Sequence, residues 1–193
     1  MWRATTYKAN PFDSGPESSL ADYKDDWVRS NRTTLRILAR MHEMPPQLLA
    51  GVALVEAGRN PPSEDWVAFH GRRAGIFDGS PDRTTFGEIQ ISLRNAGQIL
   101  ELNPETQACA IVNLLNNYQR NLAVVAEHID HLIVKEYGLV AADQFTDEMI
   151  SFGGAAYNGS GEAARNYGKF ISTPDRQARV LDLLGLVQSE HEI

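Results

Sequence analysis

The stretch that decides the fold is Pro46–Glu56, which reads PQLLAGVALVE and is followed by Ala57 and Gly58. Proline suits the first turn of a helix, where its missing N–H would have no partner, and glycine commonly ends one. The apolar residues of this stretch cover nearly every side of the predicted helix, so we expect it to lie at the centre of the fold. Glu56 then stands at a buried C-terminal helix end.

A carboxyl group in that position has an unusual environment. The carbonyl end of a helix carries partial negative charge, and apolar surroundings also disfavour a carboxylate, so both effects are expected to raise the pKa of Glu56. A raised pKa is what a general acid requires. The physics of this helix alone also allows Glu56 to turn to solvent or to pair with Arg59, and this alternative stays open.

The remaining pattern predicts a mainly α protein with at most a small β element. We expect residues 1–30 to form an irregular leader and residues 31–193 to form one domain. A first helix should start at the polar cluster 30–34 and stop before Pro45. After that helix, the pattern predicts a long loop over 60–85 and an extended segment over 87–92. A helix over 93–102 and the longest helix, from about 103 to 138, should follow. Two more helices are predicted, one over 147–152 that breaks at Gly153-Gly154 and a last one capped at Thr173.

Composition excludes several classes of function. The formal charge of −7, from 25 acidic and 18 basic residues, argues against a nucleic-acid partner, which needs a clustered basic surface. No window reaches membrane-spanning length, and the first residues lack a secretory signal, so export would need another route or an excised domain.

The cysteine and histidine content also argues against a disulfide and against a metal site. Cys109 is the one cysteine, so an internal disulfide is excluded, and its apolar neighbours predict a buried thiol. The close pair His128 and His131 lacks a third ligand nearby in sequence and is expected to be solvated. We therefore expect no metal and no cofactor.

Three separated motifs carry the functional signal. They are Glu56 within LAGVALVEAG (49–58), GEIQI (87–91) and AAYNG (155–159). In this order they resemble the lytic transglycosylase and goose-type lysozyme superfamily, in which a helix ends in a catalytic Glu, a Gly-x-x-Gln-Ile motif follows and an Ala-Tyr-Asn motif closes the site. The resemblance spans roughly residues 35–170 and implies a lysozyme-like helical domain with a long active-site loop.

The resemblance also implies a mechanism and the residues that carry it. Glu56 would protonate the glycosidic oxygen that follows N-acetylmuramic acid in peptidoglycan, while the acetamido group of that sugar supports the reacting carbon. Glu56 would then act as a base on the C6 hydroxyl of the same sugar, giving a 1,6-anhydro product, or on a water, giving hydrolysis. Gln90, Tyr157 and Asn158 match the family's other site positions and are predicted to bind substrate.

Further residues beside the motifs are candidates with open alternatives. Glu88 replaces the apolar residue usual after the motif glycine. It either faces solvent or serves as a second acid, and it is predicted to be one of the substrate-binding residues. Asp78 and Asp82 are surface charges or extra carboxylates near an attacking water. Thr84 and Thr85 either cap the loop or bond Glu56 or a sugar, and Thr85 is predicted to contact substrate.

The sequence therefore predicts an enzyme that cleaves peptidoglycan in the bacterial periplasm or cell wall. Its partners would be glycan strands and, if the protein is a toxin, an inhibitory protein. A catalytically silent glycan-binding module on the same scaffold is the first alternative. An unrelated helical interaction domain is the second.

Overall fold

The computed structural model describes residues 17–58 and 62–186. Within those residues the protein is mainly α, as predicted, with one two-stranded sheet. None of the helices in these two ranges is both long and apolar enough to cross a membrane. The elements are α1 (Glu17–Met41), α2 (Pro46–Glu56), α3 (Pro62–Arg73), β1 (Thr85–Phe86), β2 (Ile91–Ser92), α4 (Leu93–Ile99), α5 (Ala108–Leu115), α6 (Tyr118–Tyr137), α7 (Asp147–Asn158), α8 (Gly161–Ile171) and α9 (Pro174–Leu183).

The chain divides into two compact units, each assembled from separated stretches. The first unit comprises the described residues among Met1–Lys24 and Glu56–Val125, and the second comprises those among Asp25–Val55 and Ala126–Ile193. Glu56 and the hairpin β1–β2 belong to the first unit. Helices α7, α8 and α9 belong to the second.

Helix α2 has the predicted bounds and the predicted burial. It begins at Pro46 and ends at Glu56, and the chain leaves it through Gly58 at a φ of 70°. That backbone conformation is in the left-handed region that favours glycine. The fully buried residues along the helix are Leu48, Leu49, Ala50, Val52 and Ala53.

Helix α1 begins much earlier than the sequence predicted. Residues 17–30, expected to be irregular, are helical, while residues 1–16 lie outside the described residues. Charged side chains dilute the apolar period over this part of the helix, so its pattern is weak and long-range contacts stabilise it. One such contact is the ion pair of Asp25 with Arg179 of α9. Both carboxylate oxygens of Asp25 accept hydrogen bonds from the Arg179 guanidinium, at 2.7 and 2.8 Å.

The segment predicted as a loop over residues 60–85 contains helix α3, so that prediction is wrong for residues 62–73. Acidic residues in its first turn and basic residues in its last turn match the helix dipole. Its aromatic residues are a packed face, since the ring of Trp66 lies 5.4 Å from that of Phe69 and 5.2 Å from that of Phe86. Residues 74–84 remain a loop with one 3₁₀ turn at Pro81–Arg83.

The predicted long helix over 103–138 is two helices, α5 and α6. Asn103 forms a turn, because its side-chain oxygen accepts from the backbone N–H groups of Glu105 and Thr106. A second break follows α5, where the Asn117 side chain caps the next helix at the Arg120 N–H. Within the described part of the chain the longest helix is therefore α1, with 25 residues against 20 for α6. Cys109 is exposed on α5, so the predicted buried thiol is wrong.

Gly153 and Gly154 do not break α7, which continues to Asn158. These glycines serve close packing instead. A Cβ added at Gly154 would lie 2.2 Å from Cδ1 of Ile171, and one added at Gly168 of α8 would lie 2.0 Å from the Ser151 carbonyl oxygen. Glycine on both facing helices thus lets α7 and α8 approach each other closely. Helix α8 has no counterpart in the sequence prediction.

Candidate active site

Glu56 is buried at the end of α2 and exposes 4% of its surface. Ala57, which follows it, is fully buried. The alternative in which Glu56 turns to solvent is therefore wrong, and Arg59 lies outside the described residues. Burial of a carboxyl group at the carbonyl end of an apolar helix is the arrangement that the sequence predicted.

The second motif forms the turn of the small hairpin. Strands β1 and β2 are antiparallel, with Thr85 opposite Ser92 and Phe86 opposite Ile91, and residues 87–90 join them. Gly87 has a φ of 94°, and a Cβ there would lie 2.3 Å from the side-chain nitrogen of Asn121. Both the backbone conformation and the space at this position thus call for glycine.

The Gln90 side chain ties this turn to its surroundings. The Thr85 hydroxyl donates a short hydrogen bond to the side-chain oxygen of Gln90. The Gln90 side-chain nitrogen donates to the Gly87 carbonyl at 3.0 Å and to Asp65 of α3 at 3.2 Å. Gln90 exposes 7% of its surface, and its amide links Thr85 of β1, the Gly87 carbonyl in the turn and Asp65 of α3. Substrate contact by Gln90 and Thr85 stays a prediction.

Sequence reasoning missed two residues that hold this turn. Asp65 was assigned to a loop, although its place in the first turn of α3 follows from the acidic pair after Pro62. Asn121 is fully buried on α6 and forms hydrogen bonds with both backbone groups of Ile89. The sequence did offer a signal for Asn121, because this polar residue directly precedes Leu122 on the apolar side of a predicted helix, where a buried polar group needs a hydrogen-bond partner.

Glu88 does not simply point to solvent. Glu88 is half-buried, and its Oε1 atom accepts a hydrogen bond of 2.8 Å from the hydroxyl of Tyr23. Tyr23 lies on α1 in the stretch that the sequence predicted to be irregular. A role for Glu88 as a second acid stays a prediction.

The loop carboxylates differ from each other. Asp78 is exposed, as predicted for a surface charge, whereas Asp82 is buried and accepts from Arg94 at 2.6 and 3.1 Å. These hydrogen bonds hold the pKa of Asp82 below its usual value, so it is an ionised partner of Arg94. Thr84 is buried and its hydroxyl accepts from Arg72, which also donates to the Asp78 carbonyl and so fastens the loop.

Tyr157 and Asn158 form the last turn of α7 in the second unit. Tyr157 exposes 8% of its surface, and its ring centroid lies 6.0 Å from that of His128 on α6. Asn158 is exposed and precedes Gly159, which has a φ of 121°, as expected of a helix-ending residue. The substrate-binding roles of both residues stay predictions.

His128 corrects the expectation that the histidine pair is solvated. It exposes 7% of its surface, whereas His131 is exposed. Burial, with a smaller contribution from the charge of His131, lowers the pKa of His128 to about 4, so its ring is neutral near neutral pH. Among residues 17–58 and 62–186, no group of three or more His, Cys, Asp or Glu side chains is arranged to hold a metal ion.

Of the predicted site residues, Thr85, Glu88 and Gln90 come together on one hairpin, in the unit that also contains Glu56. Tyr157 and Asn158 belong to the other unit. In comparisons with known proteins, no family model, curated sequence or solved structure matches this chain.

Proposed function

We propose that the protein cleaves the glycan strands of bacterial peptidoglycan, with Glu56 as the acid and base. The observation that carries the proposal is the burial of the Glu56 carboxyl group at the C-terminal end of the apolar helix α2. The order of the Glu56, Gly87–Ile91 and Tyr157-Asn158 motifs supports the same assignment.

The proposed reaction begins with proton transfer. The Glu56 carboxyl group donates its proton to the glycosidic oxygen after N-acetylmuramic acid, and the bond from C1 to that oxygen breaks. The acetamido oxygen of the same sugar supports C1 in place of a second carboxylate. This order requires Glu56 to be protonated before substrate arrives, and burial and a helix C-terminus both favour that form.

The second half of the reaction decides the product. The Glu56 carboxylate removes a proton from the C6 hydroxyl of the same sugar or from a water, and that oxygen attacks C1. Asp82 is held by Arg94, and Glu88 accepts from Tyr23, so two candidate second carboxylates are already engaged. We therefore favour attack by the C6 hydroxyl, which gives a 1,6-anhydro end.

The hairpin residues have a positioning role in this proposal. Thr85, Gln90 and Asp65 form a chain of hydrogen bonds that holds the 87–90 turn in one conformation. Precise support of this kind keeps catalytic groups in a productive geometry. We also propose that Tyr157 and Asn158 contact the substrate, as the resemblance implies.

Incubation of the purified protein with bacterial sacculi tests the function. We expect release of soluble muropeptides whose ends are lighter by one water than reducing ends. Release of reducing ends would instead identify a hydrolase. Binding to sacculi without any release would favour the silent glycan-binding module. The setting in this proposal is the cell wall, and an inhibitory partner is expected only if the protein is a toxin.

A further inference from the structure

We propose that Tyr23 is a positioning residue that links the end of the Glu56 helix to the 87–90 turn. This inference rests on the proposed function for its effect on catalysis. The link is built from two contacts, one through the ring of Tyr23 and one through its hydroxyl group. Both contacts lie within the first unit.

The ring contact is with Gly58, two residues after Glu56. A Cβ built on Gly58 would lie 2.5 Å from Cε1 of Tyr23 and 3.2 Å from its Cδ1. The ring therefore lies directly against the backbone where α2 ends. Gly58 combines a left-handed φ of 70° with this close approach, so any side chain there would displace the Tyr23 ring.

The hydroxyl contact is with Glu88, two residues before Gln90. The Tyr23 hydroxyl donates to Oε1 of Glu88 at 2.8 Å, and the hydrogen bond is partly buried. A hydrogen bond to a carboxylate in a partly buried place is stronger than one between neutral groups. Tyr23 therefore contacts the backbone beside Glu56 and the turn that presents Gln90.

The hydrogen bond from Tyr23 requires an acceptor side chain at position 88. An apolar residue after the motif glycine could not accept from Tyr23. The 87–90 turn is also held by Asn121 from α6 and by Asp65 from α3, so Tyr23 adds a contact from a third helix, α1. The first turns of α1 are thus a structural part of the proposed catalytic unit.

The test removes the hydrogen bond between Tyr23 and Glu88 from either side. Tyr23→Phe keeps the ring on Gly58 and removes the hydroxyl, while Glu88→Leu removes the acceptor and Glu88→Gln retains an oxygen acceptor. Tyr118→Phe is the matched control, because Tyr118 is exposed on α6. Muropeptide release from sacculi gives kcat and KM, and amide hydrogen exchange reports on residues 87–91.

We expect Tyr23→Phe and Glu88→Leu each to lower kcat about tenfold with KM nearly unchanged, which is the signature of lost positioning. The double variant should lose no more than either single variant, because both remove the same hydrogen bond. Glu88→Gln keeps an oxygen acceptor for Tyr23, so it should lower kcat less than Glu88→Leu does. Exchange at residues 87–91 should be faster in Tyr23→Phe than in the wild type or in Tyr118→Phe.

Wild-type kcat in Tyr23→Phe, or losses that multiply in the double variant, would overturn the inference. If the wild-type protein releases no muropeptides, the proposed function fails. The structural link through Tyr23 is then tested by the amide hydrogen exchange rates at residues 87–91 alone. Faster exchange at 87–91 in Tyr23→Phe then supports the link, and unchanged exchange refutes it.

Discussion

The side-chain amide of Asn121 pairs with both backbone groups of Ile89, accepting from the Ile89 N–H at 2.8 Å and donating to its carbonyl at 3.0 Å. Asn121 thus takes the place of a neighbouring strand beside the 87–90 turn. Because both residues are fully buried, no water replaces these hydrogen bonds easily when the side chain is removed.

We therefore expect Asn121→Ala to lower the free energy of unfolding by about 2–4 kcal/mol, since two buried backbone groups lose their partners. Urea unfolding followed by circular dichroism measures the change. Asn113→Ala, at an exposed position on α5, is the control and should stay within about 0.5 kcal/mol of the wild type. Equal losses in the two variants would contradict the role of Asn121.

Gln90→Glu should destabilise the protein more at neutral than at acidic pH. The new carboxylate would replace the donor that faces Asp65, and two buried carboxylates repel each other. Repulsion raises the folded-state pKa of the new group, so stability is retained at low pH and is lost as pH rises. We expect a loss of about 2–3 kcal/mol that shrinks when the pH is lowered from about 7 to about 5. Gln98→Glu, at an exposed position on α4, should show no such dependence.

His128 should make the protein sensitive to acid. Its pKa is about 4 in the folded protein against about 6.5 in an unfolded chain, so the unfolded chain binds the proton first as pH falls. Stability from this residue is present above about pH 6.5 and is lost toward pH 4, by about 2–3 kcal/mol at pH 4.5. Urea unfolding at about pH 7 and about pH 4.5 measures the loss of stability between these two pH values. We expect this loss to be smaller in His128→Gln than in the wild type by about 2–3 kcal/mol. An identical acid loss in His128→Gln would refute this, and His131→Gln is the exposed control.

The contact of α7 with α8 predicts an order among glycine substitutions. Gly168→Ala places a Cβ against a backbone oxygen, which cannot move alone, whereas Gly154→Ala meets the side chain of Ile171, which can change its rotamer. We expect Gly168→Ala to cost about 3 kcal/mol and Gly154→Ala about 1 kcal/mol. Thermal unfolding of the two variants measures the difference, and the reverse order would contradict a tight backbone contact at Gly168.

The sequence predicted those parts of the fold whose local pattern agrees with the tertiary structure. Helix α2 is apolar all round and bounded by Pro46 and Gly58, so its bounds and the burial of Glu56 were predictable. Helix α7 was predicted too short, because Gly153 and Gly154 are typical of helix ends and only the neighbouring Leu48 and Ile171 explain them inside a helix.

The candidate site shows the same division. Thr85 and Gln90 were recognised from their motif, and they do share the hairpin. Asp65, the partner of Gln90, lies 25 positions away from it in sequence, and the contacts of Tyr23 with Glu88 and of Asn121 with Ile89 join residues still farther apart. No spacing rule joins such distant residues, so these contacts could be found only in the folded chain.

The most direct test of the central claim is the rate of muropeptide release from sacculi by Glu56→Gln. Glutamine keeps the shape of the side chain but cannot donate the proton, and removal of a single general acid should lower the rate at least about a thousandfold. Glu127→Gln, at an exposed position on α6, is the control and should match the wild type. Wild-type release by a folded Glu56→Gln variant would show that Glu56 is not the catalyst.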